Sequence, residues 1–358
     1  MYIFLAILMF SLLIFVHELG HFVTAKLSGV QVNEFSIFMG PAIFQKQKGE
    51  TLYSIRCIPF GGYCAMEGED DDSDNPRSFG KAAWWKKLII LVAGAGMNLI
   101  CGFLIFFFLF GPSSPAETLP EPVISDFYAG NQIDGAGGLR IGDRFYSIDG
   151  ERVYTSSNIS FLLGMNLSQE PGVHDLVVIR DGQKVYLDDF SMNRVPVQTE
   201  NGVQELYGMK LAVTPKTFGA SLRYAWNNTV DTIRMVRISL QMLLTGKAGI
   251  QDVGGPVMIV QTISETAANS GSFDAAMRNI LYFSGFIGVN LAVMNLLPIP
   301  ALDGGRALGV ILTTVIESVT HKKLNPKYEA YLHGAGMVVL LGFMALIMFK
   351  DIFNIFRG

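Results

Sequence analysis

Four stretches of this chain are apolar over about the length a helix needs to cross a hydrocarbon bilayer, roughly 20 residues. They run from Met1 to about Lys26, from Leu88 to about Gly111, between Arg278 and Asp303, and from about Leu332 to Phe349. Backbone in lipid must satisfy its own hydrogen bonds, so runs of this length are expected as helices. The composition agrees. Half of the 358 residues are hydrophobic and 16% are charged, against about 25% charged in an ordinary globular domain. With 26 Phe and 12 Tyr the chain is too aromatic for disorder. A net charge of −4 gives no basic footprint for nucleic acid. Cys57, Cys64 and Cys101 form no C-x-x-C, which speaks against a disulfide framework and a thiolate zinc site.

The first run has no basic n-region and no small-x-small cleavage site, so it is expected as a retained helix and not a signal peptide. The loop after it is rich in Lys and Arg, and Arg306, Lys322, Lys323 and Lys327 lie between runs three and four. Short basic loops stay cytoplasmic. Both termini and residues 112–277 are therefore expected outside. The acidic residues Glu67, Glu69, Asp70, Asp71, Asp72 and Asp74 are expected as a solvated loop tip, since no EF-hand spacing is present.

Residues from Pro120 to about Pro215 read as a small β-rich domain. Short β-type runs alternate there with Asp149-Gly150 and Asp181-Gly182, pairs that suit tight hairpins. Residues 219–245 show a helical apolar period with Arg223, Arg234 and Arg237 between. That helix either packs on a neighbouring domain or lies in the membrane interface. The first loop holds strand-like stretches around a Lys48-Gly49-Glu50 turn, followed by Gly61-Gly62-Tyr63, so a hairpin or small sheet beside the membrane is expected. The divisions are thus 1–111, 112–215, 216–275 and 276–358.

The chemistry starts at His17-Glu18-Leu19-Gly20-His21, an H-E-x-x-H match inside the first apolar run. On a helix, residues i and i+4 share a face, so both imidazoles can reach one metal ion. Glu18 can take a proton from the attacking water. Ionisable groups inside a span cost several kcal/mol and mark function. A catalytic zinc usually has three protein ligands. Among the candidates for the third, His174 lies in the insert, His321 in a Lys-rich loop, and His333 at the start of the fourth run. Asp303 is the stronger candidate, beyond Pro298 and Pro300, which cannot both continue a regular helix. The plain alternative for Asp303 is a helix N-cap before Gly304-Gly305.

His17–His21 in the first run, with Asn295…Pro298-x-Pro300-x-Leu302-Asp303-Gly304 in a later one, resembles the site-2 protease family of intramembrane zinc metalloproteases. The bacterial branch that cuts anti-sigma factors is the nearest match. Arg56–Tyr63 resembles that family's membrane-associated β-loop. Gly94–Asn98 resembles its glycine–asparagine motif, with Gly96 where Pro is usual. Gly138–Asp143 and Ser147–Gly150 resemble a PDZ domain of the permuted bacterial kind, present once where close relatives often carry two.

The resemblance implies a polytopic α-helical membrane protein with about four transmembrane helices, a membrane-associated β-hairpin or sheet and one inserted β-rich PDZ-like domain. It implies Zn2+ held by His17, His21 and Asp303, with Glu18 as general base. Asn295 would hold substrate backbone, and Gly61, Gly62 and Tyr63 would pair with extended substrate. Substrates would be single-span membrane proteins or remnant signal peptides, cut in a bacterial inner membrane, with the PDZ-like domain gating access or binding exposed chain ends. Two other functions fit fewer features. A metal transporter is disfavoured by four spans without a repeat, and an inactive PDZ scaffold by the complete motifs.

Overall fold

A computed structural model describes residues 1–69, 73–111, 114, 117–128, 138–165, 172–199, 202–249, 253–321 and 326–357. The chain divides into two compact units, Met1–Ile105 with Thr232–Gly358, and Phe106–Asp231.

The first unit opens with α1 (Tyr2–Ser28), which stops at Gly29 in a left-handed conformation with φ 81°. A pair of long bent strands follows, β1 (Val32–Lys48) and β2 (Thr51–Met66), and then a 3-10 turn at Phe79–Lys81 and α2 (Trp84–Phe110). The expected turn lies between Lys48 and Thr51, which are paired. Because both strands bend, Glu34–Ile37 pairs with Leu52–Ile55 along one edge and with Gly62–Ala65 along the other. The bends fall at Phe38, Gly40 and Gly61, all with positive φ. Pro41 and Pro59 flank them and cannot donate to a ladder. Phe35, Val32 and Met66 pack with Ala25, Ile90 and Leu91, so the sheet sits on α1 and α2.

After α4 (Phe218–Leu244), which spans the division between the units, come α5 (Pro256–Ala268), α6 (Phe273–Asn295), α7 (Asp303–Thr320) and α8 (Pro326–Arg357). Four helices are long and apolar enough to cross a membrane: Tyr2–Ser28, Trp84–Phe110, Phe273–Asn295 and Tyr331–Phe353 within α8. They match the four apolar runs, with the third beginning earlier and ending sooner. One expectation is corrected here. The residues around Arg306 form the helix α7 instead of a loop, because Gly304, Ala307 and Val310 recur every third residue on a buried face. Residues 256–268 also form a helix that sequence patterning did not single out; Ile263 and Ala267 pack on Ala6, Met9 and Leu13 of α1.

Close helix approach depends on glycine. A Cβ on Gly20 would lie 2.5 Å from the Ala93 carbonyl oxygen. One on Gly102 would lie 2.6 Å from Val289 Cγ2. α1, α2 and α6 therefore meet nearly backbone to backbone.

The second unit is β-rich. Its strands are β3 (Thr118–Phe127), β4 (Arg144–Ile148), β5 (Glu151–Arg152), β6 (Val173–Arg180), β7 (Gln183–Ser191), β8 (Val195–Thr199), β9 (Gly202–Leu206) and β10 (Met209–Pro215), with α3 (Ser156–Met165) between β5 and β6. The main sheet runs β10-β3-β4-β6-β7, with β5 on β4, and β8 pairs β9 separately. Both Asp-Gly pairs form the expected two-residue hairpins. Ile148 pairs Glu151 across Asp149 (φ 49°) and Gly150 (φ 79°), and Arg180 pairs Gln183 across Asp181 and Gly182 in the same conformation. Positive φ at both central residues is what the type I′ turn needs. Leu119, Ile124, Phe145, Ile148, Ile159, Leu162 and Leu176 are fully buried in its core.

Candidate active site

α1 carries the histidine pair where periodicity puts it. His17 Nε2 and His21 Nε2 lie 3.1 Å apart on one helix face. Asp303 Oδ2 lies 3.1 Å from His17 Nε2 and 3.4 Å from His21 Nε2. Residues 286 positions apart in sequence thus converge on one point. Both imidazoles are buried, and Asp303 is partly so.

The donor set fits a tetrahedral metal ion. His21 Nδ1 is 2.8 Å from the Ile90 carbonyl oxygen. A carbonyl only accepts, so Nδ1 carries a proton, and in the neutral ring Nε2 keeps its lone pair. Asp303 Oδ2 is buried and receives no hydrogen bond among the described residues. Electron-rich atoms that face one another without a proton call for a cation between them. Zinc bound at about 2.0–2.1 Å in a tetrahedron would set its ligands roughly 3.3 Å apart, close to the spacings here.

Gly94 explains how α2 comes close enough to cover this pair. A Cβ there would lie 2.7 Å from His17 Cε1 and closer still to His21 Nε2. The sequence carried the glycine, but its reason is visible only in the crossing. Gly20, which lets α2 in from the α1 side, sits inside the H-E-x-x-H motif itself.

Asp303 reaches the site through a break. α6 ends at Asn295, and residues 296–302 are non-helical except for turns. Leu302 takes the N-cap position of α7 and makes no side-chain cap. Asp303 is the first helical residue, so the cap role weighed for it is not the one it plays. Ala301 has φ 78°, sparsely populated for a residue with a Cβ. His333 of α8 accepts the Ala301 N–H at its Nδ1 (3.2 Å). Pro300 packs against Gly336, where a Cβ would sit 2.9 Å from the Pro300 carbonyl carbon. Of the other histidines, His174 is buried in the second unit with Nδ1 2.8 Å from Asp149 Oδ2, and His321 closes α7 in a left-handed conformation.

The remaining predicted residues gather nearby. Asn295 Nδ2 lies 3.4 Å from both ring nitrogens of His17. Gly62 runs beside Glu18: a Cβ on it would lie 3.9 Å from Glu18 Cγ and 2.8 Å from the Ser36 carbonyl oxygen. Gly61 forms the bend before it, with φ 77°. Tyr63 faces away into a polar cluster, with the Arg56 guanidinium 5.3 Å from its ring centroid. Burial and the neighbouring Glu34 carboxylate push the Tyr63 phenol up. Burial would raise Glu34, but hydrogen bonds from Ser54 and Arg56 outweigh it and hold that carboxyl low.

Ser11 was missed. Its hydroxyl donates to the Pro59 carbonyl at 2.6 Å and fixes the β2 bend against α1. A lone hydroxyl in an apolar run was the available signal. The acidic loop is also more than solvated. Glu67 accepts from Asn33 and Ser73, and Glu69 pairs with Arg306. Asp70, Asp71 and Asp72 lie outside the described residues.

Fold and site together define a class: an integral membrane protein with four candidate spans and the donor set of a metal-dependent hydrolase built on the first. The chain belongs to peptidase family M50, whose sequence pattern it matches over residues 5–343. It is 37% identical over 354 residues to a Clostridium perfringens protein that bears a zinc metalloprotease name, covering 98% of both chains. It is 26% identical to the regulator of sigma-W protease RasP of Bacillus subtilis, again over 98% of both. A Campylobacter jejuni protein with a zinc metalloprotease name is 29% identical over 98% of this chain and 92% of its own.

Proposed function

We propose that the chain is an intramembrane zinc endopeptidase that cuts transmembrane segments of single-span proteins. The observation that carries this is the convergence of His17, His21 and Asp303 to within 3.4 Å beside Glu18 and the edge of β2. The zinc metalloprotease names of relatives that align over nearly all of both chains support the metal.

His17, His21 and Asp303 hold Zn2+ in this reading, and Ile90 fixes the tautomer of His21. Bound zinc supplies Lewis acidity, which lowers the pKa of water and polarises the peptide carbonyl. Glu18 takes the proton of the attacking water and returns it to the leaving amine. A general base of this kind contributes about 10²–10⁴-fold. Gly61, Gly62 and Tyr63 offer backbone to a substrate strand, and the missing side chain of Gly62 lets β1 and β2 close up beside Glu18. Asn295 holds the substrate carbonyl from the His17 side. A helical substrate has its backbone already paired, and in lipid an unpaired group costs several kcal/mol. Strand addition at β2 supplies the replacement partners.

The second unit acts as a PDZ-like domain that gates access or binds chain ends. Its five-strand path with one covering helix supports that reading. The Lys- and Arg-rich loops support a topology with both termini and this unit outside the cytoplasm of a bacterial inner membrane. The sigma-W name of one relative supports an anti-sigma factor as substrate. Remnant signal peptides share the same chemistry.

The test is Glu18→Gln in purified full-length protein. Zinc content stays near that of wild type, and cleavage of a trimmed single-span substrate is lost. Loss of zinc from the variant would remove Glu18 from the role of base.

A further inference from the structure

We propose that the Glu69–Arg306 ion pair is a register lock: it fixes the substrate-pairing edge of β2 relative to Asp303, and so selects which peptide bond meets Glu18. The inference rests on the peptidase reading above.

The two residues are 237 positions apart, yet Arg306 Nη1 meets Glu69 Oε1 directly. Each is tied to one half of the site. Glu69 lies three residues beyond Met66, the end of β2, and its Oε2 accepts the Met66 N–H at 3.4 Å. The turn that carries it is itself held, because Glu67 donates its N–H to Gln31 and accepts that of Phe79. Arg306 lies one turn past Asp303 and donates its N–H to Leu302 at 3.1 Å. Gly304 and Gly305 press that turn against Leu296, Leu297 and Ile299 so closely that neither tolerates a Cβ. The pair therefore joins two stiff pieces, a strand end and a helix start. Its carboxylate is 17% exposed and its guanidinium 28%. Partial burial keeps such a pair from being screened as a surface one is.

Pairing between strands does not fix register by itself. Backbone hydrogen bonds are the same after a shift of two residues, and short Gly-rich edges specify register weakly. No other strand pairs with the outer edge of Gly62–Met66 among the described residues. A substrate on that edge is read in steps along the strand. What decides the cut is the offset between the edge and the ligand cluster. His17, His21 and Glu18 share α1, and β2 is pinned to α1 just before the Gly62–Met66 edge by Ser11 and Pro59. The far end of the edge, beyond Met66, is anchored to the Asp303 side by Glu69 and Arg306. A misplacement of about 1 Å at a reacting centre costs on the order of 10²-fold. Glu69 and Arg306 are positioning residues in this scheme, and neither touches the reacting atoms.

The experiment maps cut positions by mass spectrometry in a trimmed single-span substrate, using full-length wild type, Glu69→Gln, Arg306→Gln and the double variant at equal zinc content. Wild type should give one dominant cut. Each single variant should lose about 10- to 100-fold in kcat and spread its cuts over neighbouring bonds, while KM changes by less than about threefold. The double variant should lose no more than the worse single one, because both remove the same link. A purely stabilising pair would lower the melting temperature and leave the cut position alone. Unchanged cut positions, or losses that multiply in the double variant, would overturn the lock. If a glutamine variant does not fold, Glu69→Asp replaces it, keeping the charge on a shorter arm. A measurable second cut is then expected, and an unchanged pattern and rate would overturn the proposal. A wild type that binds zinc and cuts nothing would instead overturn the peptidase reading.

Discussion

The two halves of the ligand cluster are built in opposite ways. His17 and His21 sit on an unbroken helix, four residues apart, and need only the helical repeat to share a face. Asp303 sits after a seven-residue break with two prolines and a left-handed alanine, and needs α6, α7 and α8 to hold it. One half is local and the other is assembled. The local half has a steric weakness, since α2 must pass within contact distance of both rings. The assembled half has a strain weakness, since Ala301 keeps its φ only while its neighbours insist. Substitutions on each side should therefore fail differently, and the predictions run from the largest expected effect to the smallest.

The largest belongs to the local half. Gly94→Ala puts a methyl where His21 Nε2 and His17 Cε1 now lie. Both flanking groups are rigid, so either α2 backs away or the rings turn. Zinc occupancy should fall sharply, and the rate by more than about 100-fold, the order expected for misplacement at a reacting centre. Gly96→Ala is the control, because nothing lies within 4 Å of a Cβ there. Metal analysis of the two purified variants checks the contrast. Normal zinc in Gly94→Ala would mean that α2 is not held against the pair.

Asp303→Asn comes next. A neutral amide is a poor metal ligand, whereas a helix start tolerates Asn at almost no cost. Zinc affinity should drop by more than about 100-fold, since even groups one layer removed from a metal are worth about 10–100-fold. The melting temperature of the zinc-free protein should barely move. Competition with a chelator measures the first and differential scanning fluorimetry the second.

These two positions also show how much was legible in advance. H-E-x-x-H reads directly because a helix places residues by number alone. The four spans read from length and apolarity, and the Asp-Gly hairpins from the φ that glycine supplies. Asp303 was legible as a candidate but not as a certainty, because a broken backbone has no period to extrapolate. The partners of that half, His333 to Ala301 and Arg306 to Glu69, join residues 32 and 237 positions apart. No spacing rule connects them. α5 carries boundary signals, Pro256 in its first turn after Gly255 and Asn269 at its end, but no charged stripe contrasts with its apolar face, and the helix is stabilised by packing on α1.

A third, milder prediction probes the strain. His333→Leu leaves the Ala301 N–H without its acceptor, which costs about 1–3 kcal/mol where water is excluded. The loop should relax, and zinc affinity should fall by roughly tenfold, the lower end for a supporting partner. His174→Leu, in the second unit, should leave zinc affinity unchanged although that histidine is more deeply buried. Chelator competition on both variants separates support of Asp303 from general loss of a buried histidine.

The smallest effect lies at the far end of the local half. Arg77 and Lys26 donate to Glu50 Oε1 at 2.6 and 2.7 Å, and these hydrogen bonds hold the Glu50 carboxyl down to about 2 from an ordinary 4.5. Lys26 belongs to the last turn of α1, so the cluster ties the β1–β2 turn to the helix that carries the histidines. The folded value lies below the unfolded one. The contribution is therefore fully present above about pH 4.5 and fades as pH falls toward 2. Arg77 is half exposed, so water and salt screen the link and it contributes little. Glu50→Gln should thus lower the melting temperature slightly at pH 7, and the gap to wild type should narrow below about pH 4.5 and close as pH falls to about 2. The comparison uses zinc-free protein in detergent, so that acid-driven loss of zinc does not enter. Zinc affinity at pH 7 should be unchanged, because α1 is already held at Gly20 by the α2 crossing, two turns before Lys26. A gap that persists undiminished down to about pH 2, or a loss of zinc, would mean that the histidine half depends on its end clamp and is less self-sufficient than the helix makes it.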